Sequence, residues 1–145
     1  MPENYIDPTR ESFDAFKALP RDTPIQMLNL LRFKDRAVYP TGHSHAAQRL
    51  TGNEAYAEYG RTSAPIFQKV GGSIIWRGTM ESMVTGPQDK KWEMAFIAAY
   101  PNSAAFLAMI MDAAYKLAVV HRQAAVLDSR LIRFAPSGGD ASSFG

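Results

Sequence analysis

The apolar positions of this chain alternate between two spacings, in the order extended, helical, extended, extended, helical, extended. Ile25-Gln26-Met27-Leu28-Asn29-Leu30-Leu31-Arg32-Phe33 is apolar almost throughout, as in a strand covered on both faces. Tyr56, Tyr59, Ser63, Phe67 and Val70 recur every three or four residues, which predicts an amphipathic helix opening at Asn53-Glu54. Pro65 lies inside that pattern and removes a helical hydrogen bond, so a kink or restart is expected near Thr62-Ser63. Gly71 suits the left-handed residue that stops the helix. Residues 73–84 and 92–100 read as the arms of a hairpin. Centred near Gln88, it puts Trp76, Met80, Met94, Phe96 and Tyr100 on an apolar face. Arg77, Thr79, Glu81, Glu93, Ile97 and Ala99 fall on a mixed one. The long turn between the arms leaves other registers open. Asn102 or Ser103 caps the next helix, Asp112 caps its continuation through Tyr115, Ala118, Val119 and Arg122, and residues 127–134 form the last strand.

Two segments stand outside this pattern. Thr9 is an N-cap for a short helix carrying Phe13, Phe16 and Leu19, ended by Leu19-Pro20. This added arm reads as a lid or dimer strap, or as a helix packed on the outside. Residues 34–53 form a polar connection longer than most, and long loops are often functional. It holds His43-Ser44-His45, whose two imidazoles point the same way in an extended segment and could share a metal, although only His121 is left as a third histidine. The competing reading is a solvated loop with unrelated histidines, and no metal is expected on balance.

Composition narrows the class. At 145 residues the chain suits one domain with a sizeable core. Its net charge of +2 comes from scattered Lys and Arg, which argues against a nucleic-acid-binding face. There is no cysteine, which excludes disulfides and thiol nucleophiles and fits a reducing, cytoplasmic setting. No apolar run reaches the roughly 18–20 residues of a membrane span, and the first residues do not read as a signal peptide. Serine-nucleophile motifs and phosphate-binding glycine loops are absent, and Gly71-Gly72 has the wrong helix-to-strand order for a dinucleotide fingerprint.

Two β-α-β halves joined by a hairpin make a ferredoxin-like α+β unit, βαββαβ, with a four-stranded antiparallel sheet. The expected organisation is a helical extension over 1–24, the ferredoxin-like domain over 25–135 and a flexible tail over 136–145. The run Tyr56, Tyr59, Pro65, Gly71-Gly72 and Trp76-Arg77-Gly78 resembles the first half of the domain of unknown function 1330 family. Tyr100-Pro101-Asn102-Ser103, Asp112-Ala113-Ala114-Tyr115 and Arg122-Gln123-Ala124-Ala125 are similar to its second half, and Met27–Phe33 to the opening of its longer members. The resemblance implies a dimeric α/β barrel, two sheets packed face to face in a homodimer. Its superfamily includes cofactor-independent monooxygenases, small isomerases and heme-degrading proteins, so fold alone supplies no reaction.

Arg77 is the leading site residue, a charge within an apolar strand beside Gly78. It either grips a carboxylate or enolate or pairs with Glu81 or Glu93. Asn29 is a mid-strand amide that orients a carbonyl or ties chain segments together. Tyr59, Trp76 and Tyr115 line a pocket or belong to the core. His121 and Arg122 end the second long helix, where His121 serves as a general base or sits favourably on the helix dipole. The expected ligand is a small carboxylated or aromatic metabolite, bound without a tightly held cofactor. If the protein is an enzyme, proton transfer or isomerisation is the expected class. Arg77 then stabilises negative charge and His121 or a tyrosine moves the proton. The alternatives are a non-catalytic dimeric binding or assembly protein and a heme or metal protein with His121 as axial ligand.

Overall fold

The computed structural model describes residues 4–138. Eight main elements follow one another: α1 (Arg10–Ala18), β1 (Ile25–Phe33), α2 (Gly52–Lys69), β2 (Ser73–Gly78), β3 (Met94–Tyr100), α3 (Ser103–Met111), α4 (Ala113–Ala125) and β4 (Val126–Phe134). The strands form one antiparallel sheet in the order β2-β3-β1-β4. This is the α+β, ferredoxin-like arrangement, with α1 added in front. The part of the expected tail beyond Gly138 lies outside the described residues.

Local chemistry accounts for the element ends. Thr9 accepts from the Ser12 amide in a reciprocal capping box, and Thr51 does the same with Glu54 at the start of α2. Asn102 caps α3 and Asp112 caps α4. Asp112 also breaks the long helical run, and α3 and α4 meet at 86°. Among the described residues no single helix is long and apolar enough to cross a membrane. α2 opens at Gly52, one residue before Asn53, and it continues through Lys69 with no restart at Thr62-Ser63 despite Pro65. Pro65 is exposed while Ser63 and Ile66 beside it are buried, so packing on the inner side carries the helix across the missing bond.

The core lies between the helices and one face of the sheet. Ile25 and Met27 of β1 pack with Ile66, Ala98, Tyr100, Met109 and Tyr115. Leu31 and Phe33 pack with Ala55, Tyr56, Ala125 and Val126. Along β1 the odd-numbered residues face the helices. The even-numbered Gln26, Leu28, Leu30 and Arg32 are half-buried on the other face. Among the described residues no helix covers that outer face. Trp76, Ile132 and Phe134 also lie there, with exposures of 50%, 40% and 48%.

The hairpin departs most from expectation. β2 ends at Gly78 rather than Val84, and residues 79–93 form an irregular connection. An irregularity between Ile74 and Trp76 shifts the register by one residue, so Trp76 lies opposite Ile97 and Arg77 opposite Phe96. A one-residue shift exchanges the faces of everything beyond it. Arg77 therefore shares the helix-facing side with Met94, Phe96 and Tyr100, and Trp76 joins Ile97 outside. That reverses the expected assignment.

Candidate functional site

A cavity of about 1500 Å³ opens between the helix-facing side of the sheet, α2, α3, α4 and the N-terminal arm. Its sheet floor carries Asn29, Arg77, Phe96, Leu131 and Arg133, placed by strand alternation. Its walls are largely aromatic: Tyr56, Tyr59 and Phe67 from α2, Phe106 from α3 and Tyr115 from α4. The remaining wall is α1, which has no buried residue of its own and contributes Phe13, Phe16 and Leu19. Phe16 meets Phe106 edge-on, with ring centres 5.2 Å apart.

The arm is held by backbone acceptors. Arg122 donates to the Ile6 carbonyl at 2.6 Å, and the Ser129 hydroxyl donates to that of Tyr5 at 2.7 Å. Arg133 donates to the carbonyls of Phe16 and Pro20 at 3.3 and 2.7 Å. At its start, the Tyr5 amide donates to Asp128, a buried carboxylate that also binds Lys90 at 3.1 Å and Arg130 at 2.8 Å.

Of the residues singled out from the sequence, Asn29, Tyr59, Arg77, Tyr115 and Arg122 all line this cavity. Arg77 is exposed and makes no hydrogen bond or ion pair to another described residue. The carboxylate of Glu93, one expected partner, accepts from the Phe33 amide at 2.9 Å instead. Asn29 donates to the Met27 carbonyl at 3.1 Å, a local tie within β1. The hydroxyls of Tyr59 and Tyr115 are 2.8 Å apart. Burial raises both phenols above their ordinary pKa; the hydrogen bond between them raises Tyr115 further and pulls Tyr59 partly back, and both stay protonated at neutral pH. Arg122 is committed to the arm.

Two residues lie elsewhere. Trp76 is on the outer sheet face. His121 is buried on α4, 2.7 Å from the Tyr39 hydroxyl and close to His43 and His45. It lines no part of the cavity, so it is not placed to exchange a proton with a ligand bound beside Arg77. The cavity residues missed by the sequence reading come mostly from the arm and from β4. Ser129, Leu131 and Arg133 alternate along β4, a signal that strand periodicity could have supplied. The arm offered none, because its side chains reach the cavity only through tertiary packing.

Residues 43–133 match the family model described as a domain of unknown function, DUF1330. The chain belongs to that family. RPA0582, a protein of unknown function from Rhodopseudomonas palustris, is similar at 51% identity with a TM-score of 0.85. The match covers 94% of this chain and 99% of that one. The crystal structure of methylated RPA0582 gives 52% and 0.86, covering 93% and 96%. SnoaB, a cofactor-independent oxygenase from Streptomyces nogalater, is similar in fold alone. It shares 14% identity at a TM-score of 0.49, over 81% of this chain and 96% of that chain. No curated protein matches the chain. The DUF1330 match begins at His43, so β1 and the arm lie outside it, although both build the cavity.

Proposed function

We propose that this DUF1330 protein binds a small carboxylated compound with an aromatic or alicyclic body in the cavity beneath the sheet. One observation carries the reading: Arg77 brings an uncommitted guanidinium to a pocket whose other walls are aromatic. A planar guanidinium grips a carboxylate through two parallel hydrogen bonds, and the aromatic walls take up the apolar body. The paired hydroxyls of Tyr59 and Tyr115, one donating to the other, leave one O–H as a donor for a second polar group. If the bound compound reacts, Arg77 stabilises an enolate and that tyrosine O–H donates to it. His121 has no part in that step.

The test is a calorimetric titration of the full chain with 1-naphthoate and its neutral amide. Binding of the acid, with at least a tenfold preference over the amide that Arg77→Gln abolishes, supports the reading. Equal binding of acid and amide, or undiminished binding by Arg77→Gln, removes Arg77 from the site. The outer sheet face favours a second copy of the chain as its cover, since Trp76, Leu28, Leu30, Ile97 and Ile132 form one apolar surface. A homodimer is therefore part of the proposal.

A further inference from the structure

All three histidines of the chain gather in one place, away from the cavity. His43 and His45 come from the loop between β1 and α2, and His121 from α4. Their ring centres are 5.4, 5.7 and 4.8 Å apart, and the rings are steeply inclined rather than stacked, at 57°, 84° and 77°. The loop is fastened there by backbone bonds, with the Val38 amide donating to Ala124 at 3.0 Å and the Lys34 amide to Ala125 at 2.8 Å. Tyr39 closes one side, stacked on His43 at 4.7 Å.

These spacings suit a shared cation. Imidazole nitrogens about 2.0–2.1 Å from a tetrahedral ion put the ring centres roughly 5 Å apart. The outer nitrogens are also engaged in a useful way. The Nδ1 atom of His121 meets the Tyr39 hydroxyl at 2.7 Å, and that of His45 meets the Ser44 hydroxyl at 3.2 Å. If each ring donates its Nδ1 proton to that oxygen, its Nε2 lone pair is left for a metal, the usual partnership of a ligating histidine. His43 differs, because its Nδ1 accepts from the His45 amide at 3.0 Å. In the side-chain positions observed, no three donors among the described residues yet converge on one point. Turning the His43 ring about its last side-chain bond, a soft torsion in histidine, is the adjustment required. Glu58 on α2 is held by Arg61 at 2.6 Å and is not placed as a ligand, so a fourth position falls to solvent.

We propose that His43, His45 and His121 form a binding site for a borderline divalent transition metal such as zinc, with Tyr39 orienting His121. Imidazole ligands favour zinc, copper and nickel over magnesium and calcium. The bound ion would pin the loop between β1 and α2 to α4.

The chain lends itself to a clean test, because it has three histidines and no cysteine. Untagged full-length protein, stripped with chelator, is titrated with Zn²⁺ by calorimetry and with Co²⁺ by visible absorption. The expected result is one ion per chain, with the intense absorption of low-coordinate cobalt and a rise in Tm on adding zinc. His45→Ala, on the half-exposed loop, should weaken binding by about 100-fold or more. Tyr39→Phe, which keeps all three rings, should weaken it by about 10–100-fold. Magnesium should not compete. Zinc affinity that is the same within twofold in the wild type and the His43→Ala/His45→Ala/His121→Ala variant would overturn the proposal. So would full binding by His45→Ala.

Discussion

Gly52→Ala is the substitution whose cost is most directly set by the backbone. Gly52 opens α2 where the chain passes between the end of β1 and the end of α4. Its amide donates to the Lys34 carbonyl at 3.0 Å, and the Lys34 amide donates to that of Ala125 at 2.8 Å. A methyl group at Gly52 would run into the Lys34 carbonyl oxygen and lie 2.8 Å from both the Lys34 nitrogen and the Ala125 oxygen. All three obstacles are main-chain atoms, so no side chain can swing aside. Overpacking against a core that can adjust costs about 1–3 kcal/mol, and here the upper end applies, about 3 kcal/mol. Unfolding entropy of about 2.1 cal/mol/K per residue comes to about 0.3 kcal/mol/K for a chain of this size, so Tm should fall by about 10 °C. Differential scanning calorimetry reads this directly. Gly60→Ala is the control: a methyl group there meets nothing within 4 Å. It sits inside α2 on an exposed position and should gain about 0.5–1 kcal/mol, raising Tm by about 2–3 °C. A Gly52→Ala protein melting within 2 °C of the wild type would refute the close-approach reasoning.

Three further outcomes follow from the structure. Thr51→Ala removes the side-chain acceptor for the Glu54 amide and should cost about 1 kcal/mol, read as a lower urea midpoint with unchanged slope. Burial works against ionisation of Asp128, but the Tyr5 amide, Lys90 and Arg130 outweigh it and hold its carboxyl below the ordinary value. The stability this carboxylate contributes is therefore complete above the unfolded value of about 3.9 and is lost as pH falls through the lower folded value. Asp128→Asn should cost about 1–3 kcal/mol at pH 7, and the gap from wild type should close in acid. A gap independent of pH would exclude the ionised pair as its source. Trp76→Glu, placed on the outer sheet face, should convert a homodimer to monomer in light scattering while leaving the circular dichroism intact; an unchanged mass would mean that another surface joins the copies.

The order of elements and most of their ends were legible in the sequence, because these depend on neighbours a few residues away. Thr9, Asn102 and Asp112 announce their helices by their own side chains, and the apolar run from Ile25 to Phe33 is the central strand it resembles. The site was legible only in part. Asn29, Tyr59 and Tyr115 follow from element periodicity, but the face on which Arg77 lies depends on one irregular residue near Ile75. That shift is fixed by pairing with β3, and no local signal marks it. His121 could not be assigned from its helix, since its companions stand more than seventy positions earlier in a loop without periodicity. Trp76 was misplaced for the same reason as Arg77, the two exchanging faces together.

The way the arm is fastened has an evolutionary consequence. Apart from the Tyr5 amide on Asp128, the main-chain anchors from Arg122, Ser129 and Arg133 grip carbonyl oxygens, and carbonyls are the same whatever residue bears them. Phe16 is fixed by its edge-on contact with Phe106, but none of these bonds depends on the side chains of Phe13 or the adjoining Leu19. Phe13 and Leu19 can be exchanged for smaller, larger or more polar residues while the wall keeps its position. Members of such a lineage can drift in what they accept without first solving a folding problem, and a designer could redraw this pocket by randomising one face of a nine-residue helix.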